Sequence, residues 1–308
     1  MSLGLLVVAV PVVLLVALAT VVIVVVLVVG RSSAPDPSQA AAAARRHAGG
    51  VSAIAWLGLV LAPVLGPALS GTVRGPAQGV LLGLVPTVAG VLFVGVHAVG
   101  ELTWPRPTGT VRRAGLDRRT TADVAPRGLR GFLWGWTALV LVLAVVGGAV
   151  ATGGRQVSRV VEDGGMSAGP FPGWFYGLPL LVACLVVAAA TEAVLHVVAS
   201  RPAVVDAQPR WDLALRQLSA HRVLRGAQLV VGLTAAGVLL YGGLAVRNIS
   251  HALVEDGATS LPHLVIGTIA LALAVVVGLT TVVVAVLPGR PAGALAVPTG
   301  PLPDALPR

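Results

Sequence analysis

The sequence predicts an all-α membrane protein of seven transmembrane helices, built as one leading helix plus two or three parallel helical-hairpin repeats. Three observations predict it. Hydrophobic residues make up 56% of the 308 and charged residues only 11%, a balance that belongs to the membrane class. Seven apolar runs reach the ~20 residues needed to cross a bilayer. The third observation is a recurring order of landmarks. Leu129-Arg130-Gly131 opens an apolar run that leads through Arg155-Gln156-Val157-Ser158 and Val161-Glu162-Asp163-Gly164 to Arg201-Pro202. Leu224-Arg225-Gly226 opens another, through Arg247-Asn248-Ile249-Ser250 and Val254-Glu255-Asp256-Gly257, to Arg290-Pro291. Matching landmarks in matching order mark an internal duplication.

The first run, residues 1–30, has no basic residue ahead of its apolar stretch and no small-x-small cleavage pattern behind it. It is too long for a signal-peptide core and reads as a retained transmembrane helix ended by Arg31. Residues 31–50 read as a polar cytoplasmic linker, whose run from Ala40 to Ala44 is either a helical turn or low complexity. Residues 51–107 form the first hairpin, a degenerate copy that ends on Arg106-Pro107. Its two helices carry Pro63, Pro67 and Pro86, which neighbouring helices can accommodate as kinks.

A basic cytoplasmic loop over 108–128 precedes the second hairpin, 129–202. A basic amphipathic cytoplasmic segment, 203–223, precedes the third, 224–291. The tail, 292–308, is rich in Pro and Gly and reads as disordered. Each hairpin crosses twice, so every copy enters from the same side, which makes the repeats parallel rather than inverted.

Charge sets the expected orientation. All 21 basic residues are Arg, and 17 of them fall in 31–50, 101–130, 201–225 and 288–308. The alternate loops hold 4. The positive-inside rule then puts the N-terminus outside and the C-terminus in the cytoplasm of a bacterial cell (inner) membrane. Trp134 and Trp136 at the inner edge, with Phe171, Trp174, Phe175 and Tyr176 at the outer, fit interfacial aromatic belts. The absence of Lys excludes a retinal Schiff base. The lone Cys184 excludes an internal disulfide and reads as a small apolar filler.

The sharpest constellation emerges when the hairpins are aligned on their Arg-Pro ends. His97 and Glu101 stand nine and five residues before Arg106, and Glu192 and His196 stand nine and five before Arg201. The third copy has Thr281 and Ala285 there, so any site belongs to the third and fifth helices. A spacing of four puts each pair on one helix face. Glu192 lies roughly 13 Å along the axis from Arg201, a costly depth for a carboxylate that marks a functional hypothesis. His97, Glu101, Glu192 and His196 are therefore candidate metal ligands or proton carriers. The plainer alternative is that each pair locks helices together.

Two other patches carry charge. The acids Glu162, Asp163, Glu255 and Asp256 could hold a hard cation. They fit better as solvated turns in which Asp-Gly stops a short interfacial helix. On the other face, Trp211, Leu215 and Leu218 fall at helical spacing beside Arg216, Arg222 and Arg225, the pattern of a helix lying on lipid. Arg112, Arg113, Arg118 and Arg119 extend that basic surface, and anionic lipid at the cytoplasmic face is the economical partner. Neither segment contains a nucleic-acid reading module. A membrane-protein partner docking there stays open. The pairs Gly79/Gly83, Gly131/Gly135 and Gly173/Gly177 suit close helix packing.

Residues 100–107, Gly-Glu-Leu-Thr-Trp-Pro-Arg-Pro, resemble a segment of uncharacterised multi-pass integral membrane proteins of high-GC Gram-positive bacteria. The resemblance implies a membrane protein of such a bacterium and implies no activity. The Arg-only, Ala-, Val- and Gly-rich composition points to the same kind of source. No H-E-x-x-H, G-x-S-x-G or P-loop motif is present, and no cofactor is expected. Three roles follow, in this order: a non-enzymatic scaffold or assembly protein, a small-molecule or proton-coupled transporter using the Glu/His pairs, and a metal-dependent membrane enzyme.

Overall fold

The computed structural model describes residues 38–70, 73–104, 119–161, 164–204, 208–251 and 260–287. The expected leading helix, most of the 108–128 loop with Arg112, Arg113 and Arg118, the four acids at 162, 163, 255 and 256, and the 292–308 tail lie outside them. The chain is mostly helical: α1 Gln39–Ser70, α2 Pro76–Leu102, α3 Thr121–Val124, α4 Arg127–Val150, α5 Trp174–Ser200, α6 Pro209–His251 and α7 Leu261–Val286. Among the described residues five helices (α2, α4, α5, α6 and α7) are long and apolar enough to cross a membrane. Their outward faces carry large apolar side chains such as Leu92, Val146, Val182 and Val276, all exposed. A face of that kind is stable against hydrocarbon and unfavourable against water.

Successive helices pack as antiparallel hairpins. Gly66 abuts Val85 and Val51 abuts Gly100, which sets α1 against α2. Ala144 abuts Gly177 between α4 and α5, and Gly243 abuts Ala270 between α6 and α7. By contrast, α2 and α5 run in the same direction: Gly79, Gly83 and Gly90 meet Tyr176, Leu180 and Val187 in turn. Without side chains at those glycines the two backbones approach closely. The expectation for Gly79/Gly83 therefore holds; Gly177 packs on Ala144 of α4, whereas Gly173 lies just before α5 and meets Gly154 and Ala151 beyond the end of α4. Gly131 and Gly135 instead face open space, so small residues at that spacing do not pack there.

The central element is α6. Two thirds of its apolar window (67%) is buried inside the protein, against 28% for α2, α4 and α7. Its 43 residues span about 64 Å, twice the ~30 Å hydrocarbon thickness. One half of it must therefore project past the bilayer, and the polar half is the first, from Pro209 to Arg225.

Here the structure corrects the sequence reading twice. Residues 203–223 do not form a separate helix on a lipid surface; from Pro209 onward they are the opening turns of α6. The polar linker expected over 31–50 is helical from Gln39, and Ala41, Ala44 and Ala48 pack with Trp104, Trp211, Ala214 and Leu215 in a small core of their own. One cause explains both. An alanine face is narrow enough to lie against an aromatic and aliphatic stripe, and burying that stripe between helices removes apolar surface from water.

The opposite end differs as well. Where a turn and short interfacial helix were expected, Val157–Val161 (β1) and Gly164–Ala168 (β2) pair antiparallel, with Val157 opposite Ala168 and Arg159 opposite Met166. Gly153 and Gly154 adopt φ of 58° and 71° just before the hairpin, a turn that only glycine makes without strain. Phe171 and Val157 pack beneath it on Ala245 and Ile249 of α6.

Candidate functional site

The described ionisable side chains concentrate at the end opposite the hairpin, where α2 and α5 finish and α4 and the polar half of α6 begin. Three ties hold this end together. Glu192 of α5 accepts a two-pronged pair from Arg130 of α4, Nε to Oε1 at 2.7 Å and Nη2 to Oε2 at 2.9 Å. Trp134 Nε1 donates to the same Oε1 at 2.9 Å. This fork geometry is the strong form of an arginine–carboxylate contact.

The second tie is buried. Arg201, just past α5, donates through Nη1 to Glu101 Oε2 of α2 at 2.7 Å, with side-chain exposures of 1% and 7%. Its guanidinium also lies 3.7 Å above the Trp104 ring, in cation–π range. Burial lowers the Arg201 pKa, and the Glu101 carboxylate works against that shift.

Asp212 anchors the third tie. It accepts from Arg216 Nε at 2.8 Å, from Arg119 Nη1, and from the Val204 backbone N–H at 3.3 Å. The remaining nitrogens of Arg216 reach the last carbonyls of α5: Nη1 to Val198 at 2.8 Å and Ala199 at 3.0 Å, and Nη2 to Arg201 at 2.7 Å. The carbonyls at a helix C-terminus lack intrahelical donors and carry the negative end of the dipole, so a guanidinium satisfies both needs. Arg225 does the same for α7 through the Ala285 carbonyl. Gln228 Nε2 donates to the Thr281 carbonyl at 3.1 Å.

The four candidate ligands do not converge. His97 is buried against the Phe93 ring, 4.8 Å between centroids, while His196 is exposed. Glu101 and Glu192 are held by different arginines. Among the described residues no three His, Cys, Asp or Glu side chains gather as a metal would require. The lipid-facing assignment also needs correction: Arg216 and Arg225 are buried and cap helix ends, Arg222 is half-buried, and Arg119 pairs with Asp212.

Sequence reasoning missed Arg201 as a partner, having used it as a landmark, and missed Asp212, His47, Trp104 and Ser219 altogether. The Asp212–Arg216 spacing of four was a legible signal. The Glu101–Arg201 pair spans a hundred residues between two hairpins and had none. No protein-family model, curated protein or solved structure matches the chain.

Proposed function

We propose that the chain is a polytopic inner-membrane protein of a bacterium, with seven spans, an outside N-terminus and a cytoplasmic C-terminus, acting as a non-enzymatic scaffold or assembly protein. One observation carries the reading: the charged groups at the arginine end join helix to helix. Arg130–Glu192 ties α4 to α5, Glu101–Arg201 ties α2 to α5, Arg216 closes the end of α5 on α6, and Arg225 closes α7 on α6. Groups committed to such contacts hold a shape; they would have to be released to carry ions or protons.

The two extra spans are residues 1–30 and the apolar part of α1, and the parallel course of α2 and α5 supports a hairpin repeat. Arginine bias puts the projecting half of α6 in the cytoplasm. Arg112, Arg113 and Arg118 then serve the anionic lipid surface, and the exposed parts of this face remain for a membrane-protein partner.

Reporter fusions at residues 115 and 215 test the orientation: both report cytoplasmic, and an external signal from either overturns it. Proteoliposomes containing a pH-sensitive dye test the role. The scaffold reading expects the same proton permeability with wild-type protein and with Glu192→Gln. A proton flux that Glu192→Gln abolishes would replace it with the transporter.

A further inference from the structure

The outward face of the α1–α2 hairpin carries an apolar groove of about 550 Å³. Val51 and Ile54 of α1 form one wall, and Val91, Leu92, Gly95 and Val99 of α2 form the other. Ile54, Leu92 and Val99 are 62%, 65% and 60% exposed, so nothing among the described residues covers it. Gly95 leaves a notch in the wall, and Gly50 and Gly58 stand one turn to either side of Ile54; a Cβ at any of the three would meet nothing within 4 Å.

Chain geometry limits what can lie beside this face. Residues 1–37 are outside the described residues and join α1 at its start, at the arginine end. Val51 packs on Gly100 near the end of α2, while the turns before it pack with Trp211 on the projecting half of α6. From Gln39 to Val51, α1 therefore projects about 18 Å past that level. Taking residues 1–30 as the leading span, the reading on which this inference rests, residues 31–38 reach at most about 28 Å. With Gly30 at the level of Val51, about 18 Å of that reach is used in climbing to Gln39. About 20 Å remains sideways, two helix-packing distances of ~8–10 Å. The leading span is confined to the neighbourhood of α1.

We infer that residues 3–30 lie in this groove as a helix, antiparallel to α1 and parallel to α2, with the valine-rich stretch 21–29 against Gly95. A lipid acyl chain is the rival occupant. An acyl chain has many rotamers to lose when ordered against a wall, whereas valine side chains are stiff at χ1 and have few. The glycines let a helix backbone approach closely, and close packing is what drives helices together in lipid. A second copy of the chain lacks the effective concentration that a short linker confers.

The test is disulfide crosslinking of the full chain in membranes, in a Cys184→Ala background. One cysteine replaces Gly95 and a second is moved through residues 21–28, one position at a time. An N-terminal tag reports in parallel which side of the membrane residue 1 occupies. The expected result is a crosslinked monomer of altered mobility, with yields that peak every three or four positions. The best pair should exceed by about tenfold the yield from the same positions to Val142→Cys, on the exposed face of α4. Leu92→Cys takes the place of Gly95→Cys should the glycine variant fail to fold. A product of twice the monomer mass overturns the inference in favour of a second copy. Flat, low yields with the tag outside overturn it in favour of lipid and leave the leading span standing. A tag on the cytoplasmic side overturns the leading span itself, and the placement with it.

Discussion

Glu101→Gln tests whether buried charge organises this fold. The carboxylate sits 2.7 Å from Arg201 Nη1, and both side chains are almost completely enclosed, at 7% and 1% exposure. Glutamine keeps an acceptor oxygen but removes the charge, leaving a guanidinium in a place where water cannot reach it. Breaking a buried pair from one side costs about 3–5 kcal/mol. The Trp104 ring beneath Arg201 is present in both forms and cancels in the comparison, so the expected loss stays at about 3–5 kcal/mol. The double change Glu101→Leu with Arg201→Met removes both charges and should recover to within about 1–2 kcal/mol of the parent. Glu192→Gln is the control. Its partner Arg130 is 39% exposed and stands near the start of α4, where its long side chain can snorkel to the membrane interface, so the expected cost is smaller, about 1–2 kcal/mol. Unfolding in mixed micelles, followed by tryptophan fluorescence at fixed chloride, measures all three. The reasoning is refuted if Glu101→Gln is no worse than Glu192→Gln, or if the double variant is as unstable as the single one.

Other outcomes follow from single positions. Gly226→Ala would place a methyl group inside the Phe93 ring, which is itself fixed by Trp56 and His97; the expected loss is about 1–3 kcal/mol in the same unfolding assay. Gly131 is its counterpart in the repeated Leu-Arg-Gly landmark, yet faces open space, so Gly131→Ala should instead gain about 0.5–1 kcal/mol from helix propensity. Cys184 is completely buried between helices and should react with maleimide only after denaturation, which mass spectrometry can follow. The Thr120 backbone N–H and hydroxyl, both donating to Asp123, hold its carboxyl below the usual carboxylate range. A depressed folded pKa means that the contribution is complete above the ordinary carboxylate pKa and is lost as pH falls through the lower folded value. The Thr120 amide resonance should therefore stay constant from neutral pH to about pH 4 and move only below it.

The helices were legible because length and hydropathy alone decide whether a run can cross hydrocarbon, and α2, α4, α5 and α7 lie within the hairpin ranges 51–107, 129–202 and 224–291 or start two residues ahead of them. The arginine end was not, and the reason is physical. Arg216 and Arg225 read as surface charges because a guanidinium is costly to bury in isolation. What makes their burial tolerable is a set of carbonyls at the ends of other helices, Val198 and Ala199 of α5 and Ala285 of α7. Those acceptors belong to the backbone, carry no residue signature, and become available only after the hairpins pack. The same limit applies to Glu101: its matching with His97 suggested a ligand pair, whereas its partner is Arg201, supplied by the next hairpin. Charge at this end is therefore read correctly only with helix termini counted as anionic groups. On that count the surplus of arginines over carboxylates is partly consumed by backbone, because Arg216 and Arg225 spend their donors on the carbonyls that end α5 and α7.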